Sequence, residues 1–178
     1  MTSPSEIGVT GPLIDRPLAE RRARGVGLVL LVGEQPNREW WRRSNARDRE
    51  TGILLGASAR RLCGWAEVVY PHEYVKTCDR VNAVRDPTAP KMDLTAREDR
   101  CDQILEVAAG RPIVVLGVVA ATMMGVQLCQ GRWVGRVLYL PHPSGRSRVW
   151  NDDGMSKVAG HLFRQALELG AALAVEPR

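Results

Sequence analysis

A chain of 178 residues, 44% of them hydrophobic, is long enough for one domain with its own core. It holds no apolar run long enough to span a bilayer, and its N-terminus lacks the basic-then-apolar pattern of a leader. The expectation is a soluble cytoplasmic monomer, a single domain over residues 1–178 with 1–12 poorly ordered. The formal charge is +5 and the pI about 9.4. All but three of the 25 basic residues are Arg, whose planar fork of donors suits phosphate. Arg-rich codon usage in a high-GC genome explains the same bias, so charge alone permits a polyanion partner without requiring one. Cys63, Cys78, Cys101 and Cys129 stand far apart with no Cys-x-x-Cys pair, which argues against zinc and iron–sulfur sites. They read as buried thiols, with no metal and no cofactor.

In chain order, residues 13–24 predict a short helix ending at Gly25. Residues 26–32 are a continuous apolar run stopped by Gly33, the pattern of a parallel strand covered on both faces. Residues 52–63 carry Ile53, Leu54, Ala57, Ala59 and Leu62 at helical spacing. Residues 80–84 predict a second strand, 85–93 a polar loop, and 94–109 a helix. Residues 112–117 give a third strand running into a helix over 118–125. Residues 134–140 give a fourth strand, ended by Pro141. A closing helix covers 156–172, with Asp152 or Asp153 as its N-cap and the only Phe, Phe163, in the core. Alternating strands and helices predict an α/β fold, a three-layer αβα sandwich around a four-stranded parallel sheet. In such sheets functional loops gather at the carboxyl ends of the strands, where the strand order reverses.

Three polar loops fall at those ends. Gly33-Glu34-Gln35-Pro36-Asn37 follows the first strand, Asn82 lies in the second, and Pro141-His142-Pro143-Ser144-Gly145-Arg146-Ser147-Arg148 follows the fourth. Any one of them alone is best read as a turn, a cap or a rigid exit from the sheet. Their joint placement describes a convergent site.

These motifs resemble those of the uracil-DNA glycosylase superfamily. Gly33-Glu34-Gln35-Pro36 looks like its first motif, a Gly-x-x-Pro turn after the first strand. His142-Pro143-Ser144-Gly145-Arg146 looks like a blend of two branches' second motifs, the single-strand-selective and the mismatch-specific. Val81-Asn82-Ala83-Val84 is similar to the middle strand, whose Asn faces the base. Leu116-Gly117 and the Ala-containing helix after it resemble the third strand and its helix. The resemblance covers about residues 25–170. The cysteine spacing departs from the branch that carries an iron–sulfur cluster.

The resemblance implies a DNA glycosylase that flips a non-standard pyrimidine out of single- or double-stranded DNA and hydrolyses its N-glycosidic bond. His142 would donate to the O2 of the departing base, where negative charge develops. Glu34 and Gln35 would share one water beneath C1′. Relatives often carry Asp or Asn where Gln35 stands, so which of the pair holds the water stays open. Asn82 would read the Watson–Crick edge, and Trp40 or Trp41 would stack on the base. Ser144, Gly145, Arg146 and Arg148 would meet the DNA, with a solvated basic loop the plainer reading for Arg148. His72 and His161 read as structural or surface residues.

The residue after the motif proline is Asn37, where the most uracil-restricted branch has a Tyr wall against groups on C5. A 5-modified pyrimidine, including hydroxymethylated or glycosylated phage bases, therefore fits as well as uracil. The setting is accordingly base-excision repair or anti-phage defence. The rival reading is a nucleic-acid-binding or nucleotide-processing member of the same fold without glycosylase activity.

Overall fold

The computed structural model describes residues 27–34, 57–70, 74, 77–84, 97–125, 131–144 and 147–175. They run in the order β1 (Val29–Gly33), α1 (Ala57–Ala66), β2 (Cys78–Asn82), α2 (Arg97–Ala108), β3 (Ile113–Leu116), α3 (Val118–Met123), β4 (Arg132–Val134), β5 (Val137–Leu140), a 3-10 turn (Arg148–Asn151) and α4 (Asp153–Val175). The architecture is mixed α/β. One five-stranded sheet has the order β2-β1-β3-β5-β4. The pairs β1–β2, β1–β3 and β3–β5 are parallel, and β4 pairs antiparallel with β5.

Every residue of β1 and β3 is buried, because helices cover both faces of the sheet. On one face Val29, Leu31, Val114, Leu116, Leu138 and Leu140 pack with Leu62 and Cys63 of α1 and Phe163 and Ala166 of α4. On the other, Leu30, Val32, Val81, Val115 and Tyr139 pack with Ile104 and Ala108 of α2 and Ala120 and Ala121 of α3. Phe163 is fully buried, as its sequence position suggested; burying such a side chain stabilises by about 1.5–3 kcal/mol. Two glycines let α4 lie close: a Cβ at Gly160 would run into the Trp65 carbonyl of α1, and one at Gly170 into the Leu28 carbonyl below β1.

The sheet differs from the sequence expectation in one respect. Residues 134–140 are not one strand but the end of a hairpin, which adds β4 as an antiparallel edge and makes five strands. Gly135, with φ of 59°, takes the first position of the two-residue turn Gly135-Arg136 and reverses the chain. Smaller shifts are at the boundaries. β1 begins at Val29 because Gly27 sits at φ 94°. β2 begins two residues early, at Cys78, which makes Asn82 its last residue. α4 runs from Asp153, three residues ahead of expectation; Asp152 is its N-cap, accepting the Met155 N–H at Oδ1 (3.1 Å). The expected helix at 13–24 and loop at 85–93 lie outside the described residues.

The amino-terminal edge of the sheet is bolted by Arg111. Its guanidinium pairs with the buried Asp79 of β2 and donates to the carbonyls of Gly27, Ala108 and Val107. The opposite edge carries the polar loops. From β1 the chain passes to β2 on one side and later to β3 on the other, so the strand order reverses between β1 and β3. In open α/β sheets ligands bind outside the carboxyl ends of the strands at such a reversal.

Candidate functional site

Four residues form a row along that carboxyl edge, one per parallel strand. Asn82 ends β2, Glu34 follows β1, Gly117 follows β3, and His142 stands two residues after β5. Backbone pairing continues past the strand ends and fixes the row: Ala83 N–H donates to Gly33 O (2.8 Å), Val84 N–H to Glu34 O (2.9 Å), and Gly117 N–H to Leu140 O (2.9 Å).

Gly117 is where two of the expected catalytic residues meet. A Cβ on it would overlap Glu34 Oε1 and stand 2.9 Å from His142 Cβ. Its φ of 93° is also a conformation that side chains resist. The glycine therefore creates the space in which the Glu34 carboxylate lies beside His142. Both residues are half-buried.

The His142 ring is oriented from below. The backbone N–H of Ser144 donates to Nδ1 (3.2 Å), so Nδ1 is an acceptor and the neutral ring carries its proton on Nε2. The loop that supplies this N–H is itself held: Arg61 of α1 donates from Nη1 to the Ser144 carbonyl (3.0 Å), with its guanidinium 5.6 Å from the Trp65 ring centre. Sequence reasoning set Ser144 among the residues that would meet DNA; its described contacts act through its backbone.

Asn82 is buried and gripped by two arginines that the sequence reading did not single out. Arg100 of α2 forks onto its backbone carbonyl, from Nη2 at 2.7 Å and Nε at 3.3 Å. Arg80, two residues earlier on the same strand face, donates from Nη2 to Asn82 Oδ1 (3.0 Å). Room for that guanidinium comes from Gly33, where a Cβ would stand 2.7 Å from Arg80 Nη2 and 2.9 Å from Asn82 Oδ1. Arg80 keeps part of its surface at solvent, but its Nε is enclosed and has no partner among the described residues. Burial pushes the guanidinium below its ordinary pKa.

The remaining expected residues divide plainly. Arg148 is exposed in the 3-10 turn and His161 is exposed on α4. Gln35, Asn37, Trp40, Trp41, Gly145, Arg146, His72 and Cys129 lie outside the described residues. Cys63 and Cys78 are buried as expected, and burial pushes their thiols up to about 11 and about 12. Cys101 is only half-buried, because it sits on α2 at the rim of the core cluster, and corrects that part of the expectation. Among the described residues no group of three or more His, Cys, Asp or Glu could hold a metal ion, and no helix is long and apolar enough to cross a membrane.

A signal for Arg80 was present in the sequence. A charged residue inside a largely buried strand must find a partner, and Asn82 is the polar neighbour on its face. Gly117 was legible too, as a glycine joining an apolar strand directly to a helix. Neither the protein-family models, the curated proteins nor the solved structures contain a match to this chain.

Proposed function

We propose that this protein is a monofunctional DNA glycosylase of the uracil-DNA glycosylase type, built as a three-layer α/β sandwich and acting on a flipped, non-standard pyrimidine. The observation that carries the reading is the meeting of Glu34 and His142 across Gly117, with Nδ1 of His142 held by the Ser144 N–H. A carboxylate and an imidazole that carries its proton on Nε2, both packed around one glycine, are the two groups that hydrolysis of an N-glycosidic bond would use.

In the proposed reaction the C1′–N1 bond breaks and its electrons go to the base, whose charge collects on O2. His142 Nε2–H donates a hydrogen bond to that oxygen; a preorganised donor aimed at developing charge is usually the largest catalytic contribution. The sugar becomes oxocarbenium-like and is favoured by the nearby Glu34 carboxylate. Water adds to C1′ and passes a proton to Glu34, leaving an abasic sugar, and the departed base takes up a proton. Gln35 would help hold the water. Asn82 would face the Watson–Crick edge of the base, Asn37 its C5 side, and Trp40 or Trp41 its ring face. Ser144, Gly145, Arg146 and Arg148 would contact the DNA backbone or the gap left by the base.

The test is a panel of DNAs, single- and double-stranded, carrying uracil, 5-hydroxymethyluracil, 5-hydroxymethylcytosine or its glucosylated form. Released base, read by mass spectrometry, is expected from at least one of them. DNA binding with no base released from any member would favour a binding protein of the same fold.

A further inference from the structure

Arg61 uses one donor and keeps the others open. It stands four residues before Trp65 on α1, so both side chains lie on one face of the helix, and its half-buried guanidinium rests over the indole ring, 5.6 Å from the centre. Trp65 is itself pinned, because its backbone carbonyl packs where a Cβ at Gly160 of α4 would stand. Arg61 Nη1 donates to the Ser144 carbonyl (3.0 Å), which also accepts the Ser147 N–H (3.1 Å), so the arginine closes onto a turn that is already hydrogen-bonded. Nε and Nη2 have no partner among the described residues, and neither is sealed from solvent. No carboxylate of the described residues pairs with the charge: Asp79 is held by Arg111, and Glu67, just past α1, by Arg164 of α4. A carbonyl asks for a single N–H, which an amide side chain supplies. A guanidinium laid flat on a ring with its Nε–Nη2 edge open is instead the arrangement that takes two oxygens of an anion side-on.

We propose that Arg61 is a phosphate-binding residue, which takes one phosphodiester of a nucleic-acid strand on its Nε–Nη2 edge, beside the turn that orients His142. The strand as the source of that phosphate rests on the glycosylase reading above; the open edge of the guanidinium does not. Sequence reasoning gave contact with DNA to the loop after β5 and none to α1. Arg61 reaches that loop from α1 at Ser144, so a strand lying on the loop meets this guanidinium as well. The ring beneath and the carbonyl beside it hold the fork in place before any ligand arrives, so little side-chain freedom is lost on binding. A strand is favoured over a lone phosphate because it brings neighbouring phosphates to a chain of net charge +5.

The test needs no chemistry on a base. Affinity of the full chain for a duplex of ordinary bases is measured against salt for the wild type, for Arg61→Gln, which keeps a donor for the Ser144 carbonyl, and for Arg61→Lys, which keeps the charge. Arg61→Gln should weaken binding by on the order of tenfold and lower the slope of log affinity against log salt by about 0.9, the share of one phosphate. Arg61→Lys should keep the slope and lose part of the affinity. An unchanged slope in Arg61→Gln overturns the contact, and a wild type that binds no DNA overturns it too. Phosphates are then replaced singly by neutral methylphosphonate in a duplex whose register is fixed by one tetrahydrofuran abasic analogue. The wild type should lose affinity at certain positions, and Arg61→Gln should become indifferent at one of these alone. Indifference spread evenly along the strand means that Arg61 only supports the turn, and overturns the contact. If Arg61→Gln does not fold, the Arg61 Nε–H resonance, identified by its loss in Arg61→Lys, decides. It should move when the abasic duplex is added to the wild type, and an unmoved signal overturns the contact. Inorganic phosphate is the remaining arm. At equal ionic strength it should displace the duplex no better than chloride does; displacement that Arg61→Gln abolishes would assign the site to free phosphate and overturn the strand as its source. Base release from the panel above with an unchanged slope removes this contact and leaves the glycosylase reading standing. A lowered slope with no base released from any member does the reverse.

Discussion

Gly117 is the residue on which the site geometry turns, since it has no side chain in the place where Glu34 and His142 come together. Gly117→Ala should therefore hurt twice. The φ of 93° is strained for alanine, costing about 1–2 kcal/mol, and the added methyl pushes the Glu34 carboxylate or the His142 backbone aside. The expected outcome is a lowered melting temperature together with a loss of base release larger than the loss of DNA affinity, read by calorimetry and single-turnover kinetics. Gly33→Ala differs in kind, because its methyl meets the end of the flexible Arg80 side chain as well as Asn82 Oδ1. It should lower the melting temperature less than Gly117→Ala does, in the same calorimetry. At this scale the sequence was informative about which polar residues stand at the carboxyl edge and silent about how they are held. Glu34, Asn82 and His142 were legible because polar residues at the ends of apolar strands are conspicuous. The Ser144 N–H on Nδ1, the Arg61 anchor and the Arg100 fork join positions 2 to 83 residues apart through backbone atoms. No side-chain pattern records such contacts.

Each element carries its own local cause, and two of these can be checked by substitution. α4 starts where Asp152 accepts the Met155 N–H, so Asp152→Ala should cost about 1 kcal/mol of stability in denaturant unfolding and leave base release intact. Arg111 pairs with an Asp79 side chain that is wholly buried, at the edge of the sheet opposite the site. Arg111→Met strands that carboxylate and removes three donors to backbone carbonyls, so the loss should approach about 3–5 kcal/mol. Double substitution with Asp79→Leu should recover part of it, because an apolar pair leaves no buried charge. If Arg111→Met proved neutral, the ion pair would not be what ties β2 to the loop before β3. The elements themselves were largely readable from hydrophobic period. The error came where two short strands, β4 and β5, abut across Gly135-Arg136 in a run that stays apolar on both sides. A glycine followed by a polar residue between two valines was the turn signal, outweighed by the length of the run.

Across the whole molecule, the two apolar clusters on either side of the sheet leave the thiols in unequal surroundings. Cys63 and Cys78 are enclosed in one cluster, and burial pushes their pKa values up to about 11 and about 12, so both remain protonated thiols at pH 8. Iodoacetamide at that pH should label neither in the folded protein and both after denaturation, with peptide mass mapping as the readout. The sign for stability follows: the folded state holds these protons more tightly than the unfolded chain. Stability should thus fall as pH rises from about 9 towards 11 or 12. The overall α/β layering was legible from the alternation of apolar runs and helical segments. The carboxyl edge was legible from the polar loops at the strand ends, whereas the reversal of strand order there, between β1 and β3, is a property of the whole topology that no single motif states. The central claim is that His142 acts on charge that exists only while the glycosidic bond is breaking. It is tested most directly by single-turnover base release and equilibrium DNA binding measured side by side for the wild type and His142→Ala. Release slowed by on the order of hundreds-fold, with DNA affinity within a few-fold of wild type, is the predicted result. Parallel losses in rate and affinity, or base release at an unchanged rate, would contradict it.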